Sequence, residues 1–103
     1  MRPGARIASA VDVLEDVLKH HRPVSEALND WGKSHRFAGS SDRVAIGNLV
    51  YDALRRKLSF ARMMDDDSAR ALVLAATPSA LGIPASEVHT HADGQRYALA
   101  PLT

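Results

Sequence analysis

Residues Asp42 to Arg56 read DRVAIGNLVYDALRR. Ile46, Leu49, Val50 and Ala53, with Leu54 alongside, recur at steps of three and four, the period of a helix that buries one stripe. The predicted helix starts at Asp42, is capped by Ser40 or Ser41, and runs to about Leu58. Asp52 stands four residues before Arg56, a pairing that adds about 0.3 kcal/mol to a helix. What the stripe leaves out is basic: Arg43 at one end, Arg55, Arg56 and Lys57 at the other. A turn of about 100° per residue places Arg43, Gly47, Tyr51 and Arg55 along an edge beside the stripe. Such an edge suits a phosphate backbone, with Gly47 allowing close approach and Tyr51 offering a hydroxyl or a stacking face. The same spacing also suits a plainer role, in which Arg43 and Arg55 pair with Asp12, Asp16 or other acids on the first helix.

Upstream, Ile7, Ala10, Val11, Leu14, Val17 and Leu18 predict an amphipathic helix. It ends near Lys19-His20-His21-Arg22, whose charge suits the negative end of the helix dipole. After Pro23, VSEALNDWGKSH predicts a short second helix with Ala27, Leu28 and Trp31 facing in and Gly32 as its terminator. Trp31 and Phe37 read as core anchors, because large aromatic residues in a chain that is only 5% aromatic belong first to the core. Downstream, Phe60, Met63 and Met64 carry helical spacing up to Asp65-Asp66-Asp67. That acidic run predicts the start of another helix, capped by Asp67 and packed by Leu72, Val73 and Ala76. Pro78 does not end this helix, whereas Gly82-Ile83-Pro84 does. Residues 86–103 read as a tail, either a small hairpin about Asp93-Gly94 or an extended linker.

With 103 residues and 46% hydrophobic residues, the chain is predicted to form one all-α helical bundle over residues 1–85. Its 13 Lys and Arg against 12 Asp and Glu leave a net charge of +1, so affinity for a polyanion depends on segregation of charge. Ten of those 13 are arginine, whose planar fork matches phosphate. The absence of cysteine excludes disulfides, thiolate zinc sites and cysteine nucleophiles. No apolar run is long enough for a membrane span and no signal-peptide block opens the chain, which predicts a cytoplasmic protein. His89 and His91 lack the further ligands a metal site needs, and Asp65 to Asp67 lack a phosphate-cradling loop. No serine elbow and no dinucleotide or P-loop glycine pattern is present, so no catalytic and no metal-binding residue is assigned.

The order GARIASAVDVLEDVL, a short helix bearing Trp31, then HRFAGSSDRVAIGNLVYDALRRK resembles the N-terminal NusB-like domain of the RsmB/Sun family of ribosomal RNA cytosine-5 methyltransferases. The matching positions are Arg6 and Ala8 to Ala10, Ser40 to Arg43, and Leu49, Val50, Tyr51, Leu54 and Arg55. The likeness spans about residues 5 to 60, and order and spacing carry it. It implies a NusB-like bundle that contacts RNA; with the basic residues read above, the set expected to meet small-subunit ribosomal RNA is Arg43, Tyr51, Arg55, Arg56, Lys57 and Arg62. It also implies a fused catalytic domain using S-adenosylmethionine, toward which DGQRYALAPLT would lead. This chain, lacking a cysteine and a cofactor loop, would then be a non-catalytic part of such an enzyme, binding neither DNA nor membrane. The alternative is a protein-interaction module, docking on a partner or on the catalytic domain by the same edge or by an apolar patch around Met63, Met64 and Leu72.

Overall fold

A computed structural model of the chain describes residues 1–84, so the predicted tail at 86–103, with its hairpin and His89 and His91, lies outside the described residues. Five helices follow one another: α1 (Pro3–His20), α2 (Val24–Ser34), α3 (Ser40–Arg55), α4 (Lys57–Met64) and α5 (Ala69–Leu81). No strand occurs among the described residues, and the all-α bundle expected from the sequence is the observed fold.

The predicted stripes are the core. Ile7, Leu14, Ile46, Leu49, Val50, Leu72 and Val73 are fully buried. Helix α5 is the central member, packing on α1, α3 and α4, and α1 and α3 close the triangle around it. Its sequence explains the position: ARALVLAATPSAL is apolar nearly all round, the mark of a helix enclosed by neighbours. Small residues there let adjacent helices approach, and Ala69, Ala71 and Ala76 are all buried. Pro78 lies inside α5, as expected, and removes one backbone donor. Next to it the Thr77 hydroxyl, fully buried, donates to the Val73 carbonyl at 2.8 Å and is thereby satisfied. Gly82 then ends the helix in the left-handed region at φ 67°, where a side chain would be strained.

Several boundaries differ from those expected. Helix α3 starts at Ser40, not Asp42, and neither serine is its cap; Gly39 takes that position, and its N–H donates to the Asp42 carboxylate at 3.2 Å. The same helix ends at Arg55 rather than Leu58, because the backbone turns out of helical geometry at Arg56 (φ −112°, ψ 27°) before α4 begins. Asp52 accordingly pairs with Arg55, not Arg56. Gly32 does not terminate α2, which continues to Ser34. The acidic run forms the α4–α5 connection, with Asp65 left-handed at φ 51°. Ser68, not Asp67, caps α5: its hydroxyl accepts from the Ala71 N–H at 3.2 Å, while Asp66 accepts from the Ser68 N–H at 2.8 Å. Phe37 is no core anchor, since 75% of its surface is exposed.

Candidate nucleic-acid interface

Two patches of charge are consumed within the fold. At the α1–α2 corner, Arg22 reaches three carboxylates: Asp16 at 2.7 Å, Glu26 at 3.1 Å and Asp30. His20 also meets Asp16 at 2.8 Å. The His20 contact, with Arg22 behind it, lowers the Asp16 pKa, and the contact with Asp30 raises that of Arg22. This corner ties α1 to α2, and its three carboxylates outnumber the single guanidinium, so it offers no site to an anion.

The second is built on Asp42, which is buried at the start of α3. Arg6 of α1 holds it at 2.7 Å, the Met1 ammonium approaches to 3.3 Å and the Gly39 N–H completes the set. The Arg6 hydrogen bond is the main reason its carboxyl sits below the usual carboxylate range, against the opposing effect of burial. Arg6 and Asp42 belong to the two sequence segments that carry the family resemblance, and the fold joins them.

The remaining cations are spread along α3 and α4. Arg43 stands in the first turn of α3, and Arg55 in the last, about 18 Å away along the axis at 1.5 Å per residue. Tyr51 lies between them, half exposed. Gly47 does not open a path to the backbone: it is buried, and a Cβ there would meet Leu28 of α2 at 3.7 Å. Neither arginine reaches an acid of α1. Arg55 bonds Asp52 on its own helix, and Arg43 makes no ion pair among the described residues. Arg56 and Lys57 follow at the α3–α4 corner and Arg62 stands in the last turn of α4, all exposed. Arg56 lies 4.7 Å from the centroid of the Phe60 ring, a contact that orients its guanidinium without neutralising it. Beside these cations stand Leu58 and Met63, 80% and 65% exposed, whereas Leu72 is fully buried and cannot belong to any docking patch.

Lys33 and Arg36 were absent from the sequence-derived set. With Arg43 they line a cleft of about 510 Å³ between α2 and α3. The signal was present in GKSHRF, where basic residues alternate with ring-bearing ones. Trp31 stacks on His35 at 4.4 Å between centroids, and His35 meets the Phe37 ring edge-on at 5.8 Å.

No group of three or more potential metal ligands converges among the described residues, and none of their helices is long and apolar enough to cross a membrane. S-adenosylmethionine, which the resemblance implies only for a fused domain, does not fit the described residues: its Rossmann-like loop follows a strand, and they contain none. Comparison with protein-family models, curated proteins and solved structures returned no match.

Proposed function

We propose that this chain is the NusB-like, non-catalytic domain of an S-adenosylmethionine-dependent ribosomal RNA (cytosine-5) methyltransferase, and that it positions RNA by contacts to phosphate. The observation that carries this reading is segregation of charge on a chain of net charge only +1. Asp16, Glu26, Asp30 and Asp42 are held in the Arg22 and Asp42 clusters, and Arg56, Lys57 and Arg62 are exposed and without an ion pair among the described residues, with the exposed acids Asp65 to Asp67 following α4. Contacts of this kind fix register and orientation and leave base chemistry to the catalytic domain.

The test is binding of a small-subunit ribosomal RNA fragment across a salt series, beside a variant carrying Arg56→Ala, Lys57→Ala and Arg62→Ala. Wild type should weaken linearly in log Kd against log salt, and the variant should lose about 2 from that slope at roughly 0.7 to 0.9 per phosphate contact. An unchanged slope, or no binding by wild type at low salt, refutes the reading. A protein-docking role has its own observation, the exposed apolar side chains of Leu58 and Met63 with half-exposed Tyr51. That role predicts a salt-insensitive complex weakened by Leu58→Ala.

A further inference from the structure

The α2–α3 cleft has a composition unlike the rest of the surface. Lys33, Arg36 and Arg43 line it and no carboxylate does. Arg43 forms no ion pair or side-chain hydrogen bond among the described residues; its guanidinium lies along α2 over Gly32, where a Cβ would sit 3.7 Å from Cζ. Three like charges around one concavity repel one another, and an anion relieves that repulsion. Leu28 and Ile46 make part of the wall apolar, and Asn29 brings an amide that can both donate and accept. The volume lies within the range of small-ligand sites, about 300 to 1,000 Å³.

The aromatic residues specify what kind of anion. Trp31 lines the cleft and also begins the ladder to His35 and Phe37, so the phosphate-binding and stacking features share a residue. Phe37, at the far end of the ladder, leaves most of its ring to solvent although a buried position would remove that apolar area from water. Phe37 does not itself line the cleft but stands two ring contacts from Trp31, which does, and cations near an open ring form the pattern that binds unpaired nucleotides: the groove takes the backbone and the ring takes a base. A paired helix offers no free base face to such a ring.

From this arrangement we propose that the α2–α3 cleft binds a short single-stranded segment of RNA. One phosphate is held by Lys33, Arg36 and Arg43, and a neighbouring base stacks on Phe37. This rests on the RNA-positioning reading but uses different residues from the α3–α4 corner. It assigns the corner to general backbone attraction and the cleft to selection of an unpaired strand.

Trp31 is the only tryptophan of the chain, so its emission reports on the cleft directly. The experiment titrates the full chain with a 5′-phosphorylated uridine tetranucleotide, a blunt RNA duplex and inorganic phosphate, following that emission, and separately measures binding of the ribosomal RNA fragment. The tetranucleotide should change the emission saturably and the duplex should not. Phe37→Ala should weaken it about tenfold, the lower range for loss of one stacked base. The Arg36→Ala/Arg43→Ala double variant should lower the salt slope by about 0.7, the share of one phosphate contact, while Lys19→Ala leaves it unchanged. Equal binding of duplex and single strand, or of phosphate and tetranucleotide, overturns the proposal. If the ribosomal fragment binds while the tetranucleotide leaves Trp31 unaffected, the cleft assignment fails and the RNA-positioning reading stands. If the tetranucleotide binds and the ribosomal fragment does not, the cleft is supported and the ribosomal reading fails.

Discussion

Asp42 shows how one side chain can serve two purposes. Its carboxylate accepts from the Gly39 N–H at the start of α3, and the same group holds Arg6 of α1. Its folded pKa is lowered, first by Arg6, so the stabilisation it gives is present above the unfolded value of about 3.9 and is lost as pH falls through the folded value. Asp42→Asn should therefore melt below wild type at pH 7, and the gap in Tm should close as the pH is taken below about 4. A gap that stays constant down to pH 2 would show that the charge plays no part. In the sequence, Asp42 reads only as an acid opening a helix, because its partner is 36 residues away and nothing local links them. Phe37 was misread for a related reason: aromatic character predicts burial, but the turn that carries it at the end of α2 points the ring away from the core. Gly47 is buried against Leu28 of α2, where a Cβ would stand at ordinary contact distance, so it opens no path for a ligand to the backbone.

Helices α1, α2 and α3 were legible because each buries a periodic face, and α5 because its run is apolar nearly all round, both properties of the residues themselves. Their ends were less so. Capping depends on which of several adjacent polar residues takes extended geometry, and in SSD and DDDS more than one can. The α5 start separates the two possibilities. Ser68→Ala should cost about 1 kcal/mol, or about 4 to 8 °C in Tm, whereas Asp67→Ala should have almost no effect on thermal melting. The opposite ranking would return the cap to Asp67. The break at Arg56 was hidden for a different reason, since KLSFARMM has good helical spacing and continues the pattern before it. Only the backbone angles at Arg56 show the break, because Phe60 is buried at a spacing that an uninterrupted helix would also give.

The bundle as a whole could be foreseen from its length, its apolar content and four helical stripes, but the distribution of its charge could not. A list of basic residues does not say which have acids beside them, and that pairing is made by contacts between helices. Arg22 reads as an end-of-helix cation and is instead a junction between α1 and α2, so it contributes nothing to an anion-binding surface. Of the expected arginine edge, Arg43 lines the α2–α3 cleft, while Arg55 stands at the other end of α3 and pairs with Asp52. The kink between α3 and α4 carries one more implication, for how the molecule opens. Helix α4 spans 8 residues and buries only Phe60, while α3 is fastened along its length by Ile46, Leu49, Val50 and Ala53. With Arg56 interrupting helical geometry between them, α4 can detach while α3 remains in place. Amide hydrogen exchange should show α4 exchanging through a local opening of lower free energy than the global unfolding that governs the middle of α3. Lys57 and Arg62 would then be carried on a segment that can adjust to a partner's shape without unfolding the core.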